Sequence, residues 1–276
     1  MINEKVILQV LAEQQEEIKS YNTQRWIARK EESLFEFDTK MAQVVIGVRR
    51  SGKSTLCHKV LLERNMKTED LNTVLSCVYQ LYGTDIPYLL LDEIQDVDGW
   101  YLFVNRLLRT DLHILVTGSN AKLLSGELAT HLTGRYNEIR LYPFSFSEYC
   151  RYHQIDMVGV TTKADAERKR AFLDYIHNGG FPEMQGLRNK RAYVQSLIEA
   201  ILRKDIQKRF KIRNVEALRK LAHHLLNNAC QEVNYDDLSN LLGIADKTVT
   251  KYIDYLNQAF LIQRLSRYSF KSAVRI

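Results

Sequence analysis

Proline is scarce in this chain of 276 residues, which holds three, and glycine is modest at twelve. So little punctuation excludes a loop-rich or collagen-like protein and leaves room for helices to dominate. Cysteine is also scarce. The four residues Cys57, Cys77, Cys150 and Cys230 never form a C-x-x-C pair. That spacing excludes a zinc ribbon and a disulfide framework, and predicts small packed residues in a reducing, cytoplasmic setting. Long hydrophobic runs are missing: Val44–Val48 and Tyr88–Leu91 are strand-sized, far below the ~20 residues of a spanning helix. No membrane partner is expected. The N-terminal stretch MINEKVILQVLAEQQEEIKS puts acidic residues directly after a short apolar patch, with no small-residue cleavage site, unlike a signal peptide.

What is present is a core-forming composition. Hydrophobic residues make up 45% and aromatics 10%, which excludes disorder as the dominant state and suits one large or two ordinary domains. The net charge of +6 is unevenly spread. From Arg203 onward, 14 Lys or Arg face 7 Asp or Glu, so the last quarter holds the whole basic excess. A basic block of this kind suits an anionic partner as well as a solvated face.

The first forty residues read as a helical segment, 1–40, with a charged helix over Lys5–Ser20 and anchors at Trp26, Ile27, Leu34 and Phe35. Four short apolar runs follow, Gln43–Gly47, Tyr88–Leu91, Ile114–Thr117 and Glu138–Leu141, with helical patterns between them. This is the signature of an α/β fold, a parallel sheet flanked by helices, over 41–155. After Pro143 the strands stop, and RYHQIDMVGVTTKADAER breaks the apolar pattern at a boundary near 150–165. A helical lid is expected over 165–230, then a winged helix-turn-helix over 231–276.

Gly47-Val-Arg-Arg50-Ser51-Gly52-Lys53-Ser54 fits G-x-x-x-x-G-K-S/T in full, with the strand QVVI before it and the helix STLCHKVLLERN after it. Strand, glycine loop and helix together make a phosphate cradle: glycines allow close backbone approach, and N–H groups and the helix N-terminus face the anion. Lys53 adds a positive charge at the β- and γ-phosphates, and Ser54 offers a hydroxyl to Mg²⁺. Tyr88-Leu-Leu-Leu-Asp92-Glu93 is the expected companion, a buried strand ending in two carboxylates. Asp92 would hold Mg²⁺ and Glu93 would polarise the attacking water. The paired carboxylates point to a hydrolysing ATPase with an additional strand between the two motifs. No N-K-x-D signature is present, which disfavours GTP. The third strand ends in Ser119 and Asn120, within reach of a γ-phosphate. Arg135, after a helix over Ala121–Leu132, is placed to meet its own nucleotide or a neighbouring subunit's.

Together GVRRSGKSTL, LLLDEIQDVDGW, TGSNAKLLSGELATHLTGRY, YPFSFSEY and NGGFPE resemble the prokaryotic AAA-like ATPases of the archaeal-ATPase (MNS) group within the STAND/AAA+ assemblage, over roughly Ala42 to Phe270. Such proteins couple a P-loop domain to a winged helix and a nuclease-like C-terminal domain. The resemblance implies ATP and Mg²⁺ as cofactors, with phosphate contacts from Gly47, Gly52, Lys53, Ser54 and Thr55 and flanking loop residues Arg50 and Ser51. It also implies Asp92 and Glu93 for Mg²⁺ and water, Asn120 or Ser119 as γ-phosphate sensor, and Arg135 as arginine finger. The turn Gly179-Gly180-Phe181-Pro182 would lie at the adenine side. Two departures stand out. Only about forty residues separate Lys53 from Asp92, and TEDLNTVLSCVYQLYGTDI reads mostly as helix, so either the sheet lacks a strand or a segment is missing. The end, SRYSFKSAVRI, stops where relatives enter the nuclease-like domain, and no P-D…(D/E)-x-K cluster is present.

Tyr235–Leu256 reads as helix, glycine turn, helix, with Leu238, Leu241, Val249, Ile253 and Leu256 buried, Asp246 as cap, and Lys247, Thr248, Thr250 and Lys251 outward. AFLIQRLSRYSF would form the β-wing. With the basic run Arg203, Lys204, Lys208, Arg209, Lys211 and Arg213, this pair suits double-stranded DNA. In related folds it serves instead as a lid or protein interface, and a homo-oligomer or another protein is the alternative partner. Two functions compete: a Mg²⁺-dependent ATPase coupling nucleotide state to the helical domain, and a nucleotide-gated switch with little turnover. A P-loop kinase is disfavoured by the adjacent carboxylates.

Overall fold

The computed structural model describes residues 13, 27–62, 72–94, 100–119, 132 and 134–265. Nearly all of the expected helix over Lys5–Ser20, Trp26, Asn120, nearly all of the helix over Ala121–Leu132, and the last part of the wing lie outside them. The chain divides into two compact units, Met1–Lys190 and Arg191–Ile276.

The first unit is built on four parallel strands: β1 (Ala42–Ile46), β2 (Tyr88–Leu91), β3 (His113–Gly118) and β4 (Tyr136–Arg140), in the order β2-β3-β1-β4. Burial follows position. AQVVI of β1 is buried at every residue and β3 at all but its first, because both are inner strands covered on two faces. The outer strand β4 keeps only Ile139 buried. Val45, Leu56, Cys57, Leu90, Leu115, Ile139 and Leu141 form one core cluster, joined by Phe37 from the segment before β1. Phe37 stacks on Phe35 and meets Tyr88 edge-on.

Among the described residues, the α-helices of this unit are α1 (Lys53–Leu62), α2 (Asn72–Tyr82), α3 (Trp100–Leu107), α4 (Phe146–Tyr152) and α5 (Thr162–Asn178). Helix α3 buries Trp100, Phe103, Val104 and Leu107, the i, i+3, i+4, i+7 stripe of a helix on a sheet. The segment 72–82 is helical as its pattern indicates, and none of the four strands comes from 72–87. The N-terminal expectation needs correction. Residues Lys30–Leu34 form one short 3₁₀ helix, Leu34 is 51% exposed, and the buried residues there are Arg29, Glu31 and Phe37.

The boundary near 150–165 also needs correction, since α5 and the turn after it belong to the first unit. Tyr175 Oη donates to the Phe144 carbonyl at 2.8 Å, and Phe144 N–H donates to the Gly180 carbonyl at 2.7 Å. These bonds carry the unit on to Lys190.

The second unit is all helical among the described residues. It comprises α6 (Lys190–Ala200), a π-helical continuation Ile201–Lys208, α7 (Val215–Asn227), α8 (Tyr235–Leu242) and α9 (Asp246–Gln258). The division expected at 230/231 does not separate two units, because α7, α8 and α9 pack together. Gly243, at φ 63°, makes the left-handed turn between α8 and α9, and Ser239 Oγ donates to Ile244 O across it. Leu238, Val249, Ile253 and Leu256 are buried as expected, but Leu241 is 64% exposed. It sits three residues beyond Leu238 on a helix of only two turns, at the edge of the buried stripe. Ala245 occupies the cap position without a side-chain bond, so Asp246 is the first helical residue and not the cap. Of the wing, Ala259–Leu265 forms a turn and irregular chain with no strand.

Candidate functional site

The parallel sheet brings the ends of β1, β2 and β3 to one rim, with β3 lying between β1 and β2 as the paired carboxylates imply. After β1 the chain enters the loop Gly47–Gly52. Gly47 is forced by packing, because a Cβ there would lie 2.0 Å from the Leu141 carbonyl oxygen. Arg50 (φ 64°) and Gly52 (φ 93°) occupy left-handed backbone, which curls the loop back on itself. Ser51 N–H donates to Val48 O at 3.2 Å, and Lys53 Nζ reaches the same carbonyl at 3.2 Å. Lys53 therefore reaches back across the loop and is buried there. Ser51 is buried, Ser54 half-buried and Thr55 exposed at the start of α1.

The two motifs meet directly. Ser54 Oγ donates to both carboxylate oxygens of Asp92, at 2.9 and 3.0 Å. A hydroxyl and a carboxylate side by side at a phosphate loop are hard oxygen donors, the set that suits Mg²⁺ with phosphate and waters completing its shell. Glu93 has a left-handed backbone at φ 50°, uncommon for a side chain of this type. That kink sends the adjacent carboxylates to different partners. The Asp92 carboxylate also accepts from Thr117 Oγ1, while Glu93 Oε2 accepts from the Ser119 N–H at 3.3 Å. Glu93 N–H in turn donates to Thr117 Oγ1 at 3.0 Å. Below them Cys57 is fully buried; burial, reinforced by Asp92 and opposed by Lys53, pushes its thiol far up, so it is packing and no nucleophile.

The turn Gly179–Pro182 comes to the same loop. Gly180 packs on the Phe144 backbone so closely that a Cβ would lie 2.2 Å from its carbonyl oxygen, and Pro182 Cγ lies 3.8 Å from a Cβ built on Gly52. Arg50 pairs with Glu183 at 3.3 Å. Arg135 is not brought here. It precedes β4, its carbonyl accepts from Ala42 N–H at 2.9 Å, and Tyr136 is in register with Ala42. That is the opposite end of β1 from the phosphate loop, roughly 13 Å of strand away, so the expectation that Arg135 meets its own chain's nucleotide is corrected.

Two participants carry no local motif. Thr117 is a polar residue inside the apolar run HILVTG, and that interruption is its only signal. Arg29 is buried beside the loop, hydrogen-bonded to Ser51 O at 3.3 Å, Tyr142 O at 2.6 Å and Glu148 Oε1 at 2.8 Å. Its partner lies 119 residues away, beyond any spacing rule. Ser145 and Glu148 form the capping box of α4. Burial pushes the Glu148 carboxyl up, but hydrogen bonds from Ser145 and the Arg29 guanidinium outweigh it and hold the group below its ordinary value.

In the second unit Arg203, Lys204, Lys208, Lys211 and Arg213 are exposed and Arg209 half-buried; Lys247, Thr250 and Lys251 are exposed and Thr248 half-buried. No helix among the described residues is long and apolar enough to cross a membrane.

Residues 39–150 match the family model of an AAA domain, and residues 169–275 match a domain of unknown function. An uncharacterized protein of Haemophilus influenzae is 32% identical over 85% of this chain, and one of Methanocaldococcus jannaschii is 29% identical over 83%. The chain spans 64% and 57% of the lengths of these two relatives. The solved structure of AMPPCP-bound DnaA from Aquifex aeolicus has 12% identity over 84% of this chain and 85% of that chain, with a TM-score of 0.31, too low to carry an argument. The AAA match over 39–150 and the strand order agree on a P-loop core of AAA-like fold there, followed in the chain by a region that is helical among the described residues.

Proposed function

We propose that this chain binds ATP with Mg²⁺ and hydrolyses it, and that the nucleotide state is coupled to the helical unit. The observation that carries the reading is the direct bond between Ser54 and Asp92 at the rim where the phosphate loop ends. Lys53, released from Val48 O, takes the β- and γ-phosphates, and the loop N–H groups with the N-terminus of α1 complete the cradle. Ser54 and Asp92 would hold Mg²⁺, which supplies positive charge to the phosphate oxygens. Glu93 orients a water and accepts its proton as the water oxygen bonds to the γ-phosphorus and the bond to ADP breaks. Ser119 holds Glu93 from the neighbouring strand; Asn120 follows it as the candidate γ-phosphate sensor. Gly180 and Pro182 border the nucleotide. Any role for Arg135 is toward the nucleotide of a neighbouring copy.

The domains this reading uses are a P-loop unit and a helical unit whose α8–turn–α9 pair is a helix-turn-helix of the winged class. Its outward Lys247, Thr250 and Lys251, with the exposed basic run, suit duplex DNA as partner. The alternative is a nucleotide-gated switch with little turnover. Phosphate release with and without duplex DNA separates the two. Wild-type protein is expected to turn over ATP only with Mg²⁺, and Lys53→Ala to lose binding and turnover while keeping its helical circular dichroism. Full activity in Lys53→Ala would overturn the site.

A further inference from the structure

We infer that Arg29 is a positioning residue for nucleotide binding: from behind the phosphate loop, its guanidinium holds the Ser51–Gly52 peptide so that the Gly52 N–H faces the anion. The inference rests on the nucleotide reading above. Arg29 is 9% exposed, so its charge is costly without partners. It has a full set: Nε on Glu148 at 2.8 Å, one terminal nitrogen on Tyr142 O at 2.6 Å, the other on Ser51 O at 3.3 Å, and the Phe144 ring 5.0 Å from the guanidinium carbon. A buried ion pair of this kind adds little to stability over a packed apolar pair. Its geometry toward the loop is specific.

A peptide unit is planar and trans, so its carbonyl and the following N–H point in opposite directions. With Ser51 O drawn toward Arg29, the Gly52 N–H points away from it, to the other face of the loop. Gly52 has φ of 93° and no side chain to favour one sign of φ. Nothing in that residue itself opposes rotation of the peptide unit, which would replace the N–H at the phosphate face with a carbonyl. The Arg29 bond to Ser51 O selects one orientation. Glu148, fixed by its own bonds to the Ser145 N–H and hydroxyl at 2.8 Å each, selects the orientation of the guanidinium. Lysine would keep the charge here but could not serve acceptors in three directions with a rigid planar fork.

The test compares wild type, R29K, E148Q and K53A for binding of a fluorescent ATP analogue with Mg²⁺, for KM and kcat of phosphate release, and for thermal unfolding without nucleotide. R29K is expected to weaken analogue binding and raise KM by about tenfold or more, the scale of one charge-assisted hydrogen bond. Its kcat at saturating ATP should stay within about threefold of wild type, because the chemistry is made by other residues. E148Q should shift KM in the same direction by less. Wild-type affinity in folded R29K, or loss of kcat at unchanged KM, overturns the inference. If R29K does not fold, wild-type affinity in folded E148Q overturns it. Should K53A bind the analogue as wild type does, the nucleotide reading fails; K53A without binding beside R29K with full binding isolates the failure to Arg29.

Discussion

The hydroxyl of Thr117 reaches both members of the carboxylate pair: it donates to the Asp92 carboxylate and accepts from the Glu93 N–H. The neighbouring carboxylates otherwise have different partners, since Asp92 also takes the Ser54 hydroxyl while Glu93 accepts from the Ser119 N–H; the proposed function gives the first to Mg²⁺ and the second to the attacking water. Glu93→Gln should bind ATP normally and hydrolyse it at least about a hundredfold more slowly, the scale of losing a positioned general base. Thr117→Val keeps the shape of the side chain but removes the bridge. It should lower kcat by about tenfold with ATP affinity little changed, because only the aim of the two carboxylates is loosened. Isotope-dilution binding and single-turnover phosphate release measure both quantities for each variant. Reduced binding in both, with unchanged rates on the bound fraction, would refute the division of labour.

Among the elements, α4 is short at seven residues, and its capping box does two tasks: it starts the helix and fixes the partner of Arg29. Ser145→Ala should cost about 1 kcal/mol of stability, the usual effect of losing an N-cap hydroxyl. It should also change the acid response. Glu148 has a carboxyl held below its ordinary value, so its contribution is present above the ordinary carboxylate range and lost as pH falls through the lower, folded value. Removing the Ser145 hydroxyl raises that folded value, so the acid limb of urea-unfolding stability should move to higher pH; an unmoved limb would contradict the account. The same helix shows where the sequence is legible and where it is not. Strands β1 to β3 announce themselves as short apolar runs, and the phosphate loop and Asp92-Glu93 follow because their chemistry is local to a few adjacent residues. The tie between Arg29 and Glu148 is created by folding alone and has no periodicity to read. Arg135 follows the same rule in reverse: adjacency to a motif-rich segment suggested the site, while parallel strand direction put it at the far end of β1. Leu241 fits the helical period yet lies outside the packed stripe, since a two-turn helix has little buried face to share.

At the scale of the whole molecule, the basic excess falls in the last quarter of the chain, where most of the run near 203–213 is exposed. If that run meets duplex DNA, binding should fall steeply with salt because phosphate contacts release counterions. Replacing Lys208, Arg209 and Lys211 with Glu should then weaken all duplex sequences alike and reduce the salt slope, whereas changes at Lys247, Thr248 and Lys251 should alter sequence preference. Filter-binding titrations at low and moderate salt test this; no duplex binding at low salt would remove DNA as partner. The strand order has a further consequence, for the time at which the chain is made. Strand β1 is the first strand among the described residues, yet both of its neighbours, β3 at His113–Gly118 and β4 at Tyr136–Arg140, come later. During synthesis at roughly 5–20 residues per second, AQVVI therefore waits several seconds without a partner. For that interval it is an unpaired apolar segment of the kind that joins other chains edge to edge. Slowing synthesis between 47 and 113 should therefore cost soluble yield, while the same delay after 140 should not.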